Sequence, residues 1–190
     1  AFIVKNRLLR KDEHQKQMVK DHLDPFLKLF SDMHARTQDY IELFPVHPTY
    51  FENFEKIKIA KSQREILKTL SGQFEEILEM EIPKDNPGLL TYDRYWEDMQ
   101  KDQSLMSEPD IRKVKEITDT VSDKIDTYFT GARASKIEVA KRITNACAIK
   151  VLQQELQKQN GTNAEHLVDD LCLTDKLASD RDFLIDVIDT

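Results

Sequence analysis

The chain has 190 residues, a formal net charge of −7, and only 4 glycines and 6 prolines. That length holds one domain or two small ones, and a domain of roughly 150 residues buries about 70% of the surface its unfolded chain exposes. With 33% charged residues and few turn formers, the composition favours helices joined by short loops over a sheet-rich fold, and the acidic balance argues against a free nucleic-acid binder.

The charge is uneven. From residue 163 onward eight acidic residues stand against two basic ones, so phosphate contact there is repulsive. Cys147 and Cys172 both sit in apolar helical patterns and read as buried thiols in a reducing compartment. No apolar run approaches the roughly 18 residues of a membrane span, and no signal peptide is visible. The expected setting is therefore cytoplasmic, away from membranes. The chain starts at Ala1 with the apolar Phe2-Ile3-Val4 and stops straight after Phe183, Leu184, Val187 and Ile188. Both ends read as cut from something longer.

In chain order, Asp12 to Leu23 is polar and helix-prone. Asp24-Pro25 fits an N-cap with proline at the first helical position, and Phe26, Leu27, Phe30 and Met33 follow at helical spacing, which reads as one kinked helix or two end-to-end helices. Pro45-Val46-His47-Pro48 stops this pattern, because the residue before each proline is pushed out of the α region. Pro48 then opens a short helix with Tyr50, Phe51 and Phe54. The stripe Ile66, Leu67, Leu70, Phe74, Ile77 and Leu78 predicts a helix from about Lys61 to Met80. Pro83 to Gly88 is the strongest internal break. Leu89 to Tyr92 reads as briefly extended, and Asp93 as the cap of a short helix holding Tyr95 and Trp96.

Pro109-Asp110 opens a long helix whose apolar positions are Ile111, Val114, Ile117, Val121, Ile125, Tyr128 and Phe129, ended by Gly131. Ser135 to Gln159 is apolar on several sides near its middle and reads as a central helix. Thr162-Asn163-Ala164-Glu165 resembles a capping box ahead of a helix through Leu167 and Leu171. A last helix covers Asp180 to Asp189. The fold class is all-α. The organisation is a helical lid-like segment over 1–82, a connecting turn and helices over 83–134, and winged-helix-like helices over 135–190.

Candidate chemistry is sparse. Gly72, Gly88, Gly131 and Gly161 stand in neither G-x-x-x-x-G-K-[ST] nor G-x-G-x-x-G, the patterns whose backbone amides cradle phosphates. Autonomous nucleotide hydrolysis is not expected, and no catalytic residue is assigned. His14 and His22 lie eight apart on one expected helix, without H-E-x-x-H or C-x-x-C beside them. Asp169-Asp170 and Asp175 lack the glycine and spacing of a calcium loop. The histidines read as solvated or partly packed side chains and the aspartates as a solvated acidic face, rather than as ligands, and no metal site is expected. His47, between two prolines, is either a loop residue bonding a helix end or one that positions a loop near a nucleotide or partner. Arg64 is either a surface arginine or a cation reaching a phosphate on a neighbouring domain. Tyr92 and Trp96 read as core anchors.

Four segments together carry a resemblance. They are Glu42 to Tyr50, Lys61 to Ser71, Pro87 to Trp96, and Ala140-Lys141-Arg142-Ile143 followed by Gly161 to Leu167. In this order and spacing they resemble the region just after the nucleotide-binding core in very large bacterial AAA-type P-loop ATPases. The relatives named by this likeness are the ATPases of BREX-type phage-exclusion systems.

The resemblance implies a non-catalytic lid or regulatory region of a phage-defence ATPase, with Phe44 to Met80 as the lid. Ser135 to Asp189 would supply the helices of a winged helix, truncated before its wing. It further implies that Arg64, Lys61 and His47 face nucleotide from the lid, only in the intact parent. ATP and magnesium would be bound by the parent and not by this chain. Its partners would be its own ATPase core and other defence proteins, with no direct nucleic-acid contact. The alternative reading is a stand-alone helical protein–protein interaction module with no nucleotide link. An apolar face left open where a core once packed would favour the lid.

Overall fold

The computed structural model describes residues 9–57, 63–153, 162–175 and 180–189; the side chains of residues 63–67 lie outside that description. Among the described residues there are eleven α-helices and no sheet. They are α1 (Glu13–Leu23), α2 (Ser31–Ala35), α3 (Thr37–Leu43), α4 (Pro48–Glu55), α5 (Gln63–Ile77) and α6 (Asp93–Lys101). There follow α7 (Gln103–Met106), α8 (Pro109–Tyr128), α9 (Ile137–Val151), α10 (Ala164–Leu171) and α11 (Arg181–Asp189). The all-α class is therefore correct, and no helix among the described residues is long and apolar enough to cross a membrane.

Several starts have a local cause. Asp12 caps α1 by accepting from the Gln15 amide while Gln15 reaches back to the Asp12 amide, a reciprocal closure of two orphan donors. Pro48 and Pro109 each open a helix where a missing N–H costs nothing. The turn before α6 requires glycine. Gly88 has φ +67°, and a Cβ there would meet the Pro83 ring at 3.0 Å.

Several expected boundaries shift. The chain after Asp24 is a 3-10 turn (Asp24–Phe26), and α2 and α3 follow as separate short helices. Phe26, Phe30 and Met33 are buried all the same, so apolar spacing there reported burial and not continuity. Asp93 does not cap α6. It is that helix's first residue, and its carboxylate turns to Thr91 and Arg142. The cap of α10 is Asn163, which accepts from the His166 amide, one residue later than the Thr162–Glu165 box predicts. The α5 stripe holds at Leu70, Phe74 and Ile77, but Leu78 lies past the helix end and is solvent-facing.

Two apolar clusters hold the helices. The larger gathers Tyr50, Phe54, Leu70, Trp96, Ile111 and Ile149, among others, so residues from the first, middle and last thirds share one core. Helix α9 packs most extensively on α6 and α8, which makes it central as its apolar pattern predicts. The smaller cluster joins Leu23, Phe30, Met33 and Tyr40 to Val168, Cys172 and Leu184. Tyr92 and Trp96 are core anchors, as expected.

Candidate functional site at a helix end

The proline-flanked loop is pinned by backbone. Val46 and Leu90 form an isolated parallel bridge, in which Leu90 donates to the Pro45 carbonyl at 2.7 Å and His47 donates to the Leu90 carbonyl at 3.0 Å. The brief extension expected at Leu89 to Tyr92 is this contact. Two of the four segments that carry the family resemblance thus meet here.

His47 is fully buried. Its Nδ1 accepts from the Thr49 amide at 3.1 Å and lies 2.8 Å from Thr49 Oγ1. An N–H donor into Nδ1 fixes the ring proton on Nε2. Nε2 faces the Asp169 carbonyl at 3.0 Å and Tyr40 Oη at 2.7 Å. Because Tyr40 donates its own proton to Asp32 at 2.8 Å, its oxygen accepts from His47. A second proton would have to enter at Nδ1, against the Thr49 amide. Burial therefore lowers the His47 pKa to about 3, and burial likewise raises that of Tyr40. The role observed is that of a helix cap inside a closed network.

The C-terminal end of α10 is where further polar groups converge. A helix of this kind leaves its last carbonyls unpaired and draws cations by its dipole. Arg142, from α9, donates to the Leu171 carbonyl at 2.7 Å, to Asp93 at 2.9 Å and to Thr91 Oγ1 at 2.9 Å. Thr91 in turn donates to Asp93, which is buried. Lys150 lies 3.2 Å from Asp170, donates to Asn53 at 2.8 Å, and stands 4.9 Å above the Tyr92 ring. Arg181 grips both carboxylate oxygens of Asp169 at 2.8 Å and also donates to the Leu29 carbonyl at 2.8 Å. Ser31 donates to Asp169 at 2.8 Å.

Cys172 ends α10 in the left-handed conformation, at φ 45°, with its amide on the Asp169 carbonyl and that of Leu173 on Val168. A non-glycine residue there stores strain of about 1 kcal/mol or more, held in place by the surrounding packing. Burial pushes its thiol well above the ordinary range, as it raises that of the half-buried Cys147. Both cysteines are free.

Of the residues singled out from sequence, the structure brings His47, Asp169 and Asp170 into this junction, and the two aspartates, expected on a solvated acidic face, are instead mostly buried in ion pairs with Arg181 and Lys150. Lys61 lies outside the described residues. Arg64 is in the first turn of α5, and its side chain lies outside the description. His22 bonds the Pro87 carbonyl at 3.1 Å. Among the described residues no group of three potential metal ligands occurs. Sequence reasoning did not assign Tyr40, Asp93, Arg142, Lys150 or Arg181 to a site, since single polar residues within helical patterns carry no local sign of a distant partner. A usable signal existed for two of them, because Asp93 and Arg142 stand inside the segments that carry the resemblance.

A family model described as DUF6079 second domain matches residues 12–190, and the chain belongs to that family. No curated protein and no solved structure matches it.

Proposed function

We propose that this DUF6079 second domain is a non-catalytic lid or regulatory region of a large cytoplasmic ATPase that acts in phage defence. Its work is to couple nucleotide state to partner contacts. One observation carries the reading furthest. The Pro45-Val46-His47-Pro48 loop, which the resemblance assigns to the lid, is bonded to Leu90 and to Asp169 near the other end of the chain. A loop so tied can pass a displacement into the last helices, and a lid functions by making different contacts in two nucleotide states. The family description as a second domain supports a larger parent, whose own core would bind ATP and magnesium.

On this reading Arg64, Lys61 and His47 lie toward the nucleotide side, with Arg64 as the sensing cation and His47 fixing the loop from within. The test compares ATP turnover by the longer protein that carries this domain with that of its Arg64→Ala variant, alongside the chain alone. Turnover reduced by the substitution, with none in the chain alone, supports the lid. Unchanged turnover in the variant removes Arg64 from the mechanism. No nucleotide binding by the longer protein removes the ATPase link.

The exposed face of α8 bears on the alternative, a stand-alone helical protein–protein interaction module. Ile117, Val121 and Tyr128 fall on one helical face and are 55%, 37% and 70% exposed. Three large apolar side chains in line on a long helix match the open face expected where a parent core packs, and so support the lid over the self-contained module.

A further inference from the structure

We infer that α11 is a strap latched by Arg181, and that its latching is coupled through Asp169 to the order of the His47 loop. The apolar attachment of α11 rests, among the described residues, on one fully buried side chain, Leu184; Ile185, Val187 and Ile188 are partly buried, and Phe183 faces solvent. Its polar attachment is strong by contrast, with a bidentate guanidinium on a carboxylate, the most specific of the ion pairs.

Asp169 carries both ties. Its carboxylate holds Arg181 and Ser31, and its carbonyl receives His47. The Asp169 side chain is 13% exposed and that of Arg181 17%. Removing the guanidinium leaves a nearly enclosed carboxylate without its counter-ion, and such a group must move toward water. It sits in the last turn of α10, three residues before the strained Cys172, whose amide donates to the Asp169 carbonyl, so its movement shifts the carbonyl that His47 uses. The Ser31 hydroxyl adds a third element, α2, to the same pivot. The inference deepens the lid reading by giving the route from loop to C-terminal helices. It rests on that reading for its use only, since the test concerns the 190-residue chain itself.

The test is hydrogen exchange on the full chain, read at the amides of α11, at Thr49 to Phe51, and at Val114 to Thr118 in α8 as a control. Arg181→Gln is expected to speed exchange in α11 about tenfold or more, as loss of a charged hydrogen bond implies, and to speed Thr49 to Phe51 severalfold. His47→Asn is expected to act in reverse, loosening α11. The double variant should show less than the product of the single effects, the signature of shared coupling. Ser31→Ala, a milder change at the same carboxylate, supplies the series if His47→Asn does not fold. Release of α11 with Thr49 to Phe51 unchanged overturns the coupling. No change in α11 overturns the latch. Equal acceleration of the α8 control shows general destabilisation and overturns both.

Discussion

His47 Nε2 lies 3.0 Å from the carbonyl oxygen of Asp169, 122 residues further along the chain. The bond joins a loop held by two prolines to the closing turn of a short helix, and both ends are buried or partly so. Such a contact links the first and last parts of the fold by one neutral imidazole. Its neutrality is built in, because Nδ1 is occupied by an incoming amide.

This gives a pH dependence with a definite sign. The His47 pKa is lowered to about 3 in the folded protein against roughly 6.5 for a free histidine. Between those values the unfolded chain binds the proton and the folded one does not, so stability is intact above about pH 6.5 and falls as pH drops toward 3. At about 1.4 kcal/mol per pH unit, moving from pH 7 to pH 5 costs about 2 kcal/mol at this site. Urea unfolding of the wild type and of His47→Asn at several pH values measures it. The variant should be less stable at neutral pH by about 1–3 kcal/mol and should lose less than the wild type on acidification. Parallel pH profiles for the two proteins would show that His47 does not set the dependence.

Arg142 and Asp93 predict a different asymmetry. Asp93 is buried and receives Arg142 Nε at 2.9 Å and Thr91. Arg142→Met leaves a buried carboxylate unpaired and should cost about 3–5 kcal/mol. Asp93→Asn leaves a partly exposed guanidinium, which water and the Leu171 carbonyl still serve, and should cost less. Chemical unfolding of both variants decides the order. Equal losses would mean the ion pair acts as packing alone.

Helix positions were legible in the sequence wherever apolar spacing and a breaker agreed. Pro48 and Pro109 start helices as read, and Trp96 and Tyr92 are core. Phe26 to Met33 misled because burial can be reached by short turns as well as by one helix. The junction at α10 was legible only in part. His47 stood out by its flanking prolines, but Arg142 entered only through the resemblance, and Lys150 and Arg181 were not singled out. Their partners are 29, 20 and 12 positions away or more, and side-chain pairing at such separations leaves no local period. Thr162 to Glu165 fits a capping pattern one residue out of register, since Asn163 is itself a strong cap.

The exposed face of α8 predicts association. Ile117 and Val121 stand in solvent beside the buried Val114 and Ile125 on the same helix. Ile117→Glu with Val121→Lys should leave unfolding stability within about 0.5 kcal/mol, as surface changes usually do. Sedimentation of the wild-type chain over a range of concentrations should show self-association that the variant loses. A wild type that stays monomeric throughout, with the variant indistinguishable from it, would remove the face as support for the lid reading.

Two glycines give opposite predictions from one kind of substitution. Gly72 lies in the exposed middle of α5, and a Cβ there meets nothing within 4 Å. Alanine restricts the unfolded chain and suits the helix, so Gly72→Ala should stabilise by about 0.5–1 kcal/mol. Gly88 holds φ +67° and faces the Pro83 ring. Alanine there must adopt a left-handed backbone and press on a rigid ring, so Gly88→Ala should destabilise by about 1–2 kcal/mol. The turn also delivers Leu90 to the Val46 bridge, so the loss at Gly88 should be accompanied by faster amide exchange at His47 and Leu90. Stability lost without change at those two amides would place the strain in the turn and leave the proline-flanked loop independent of it.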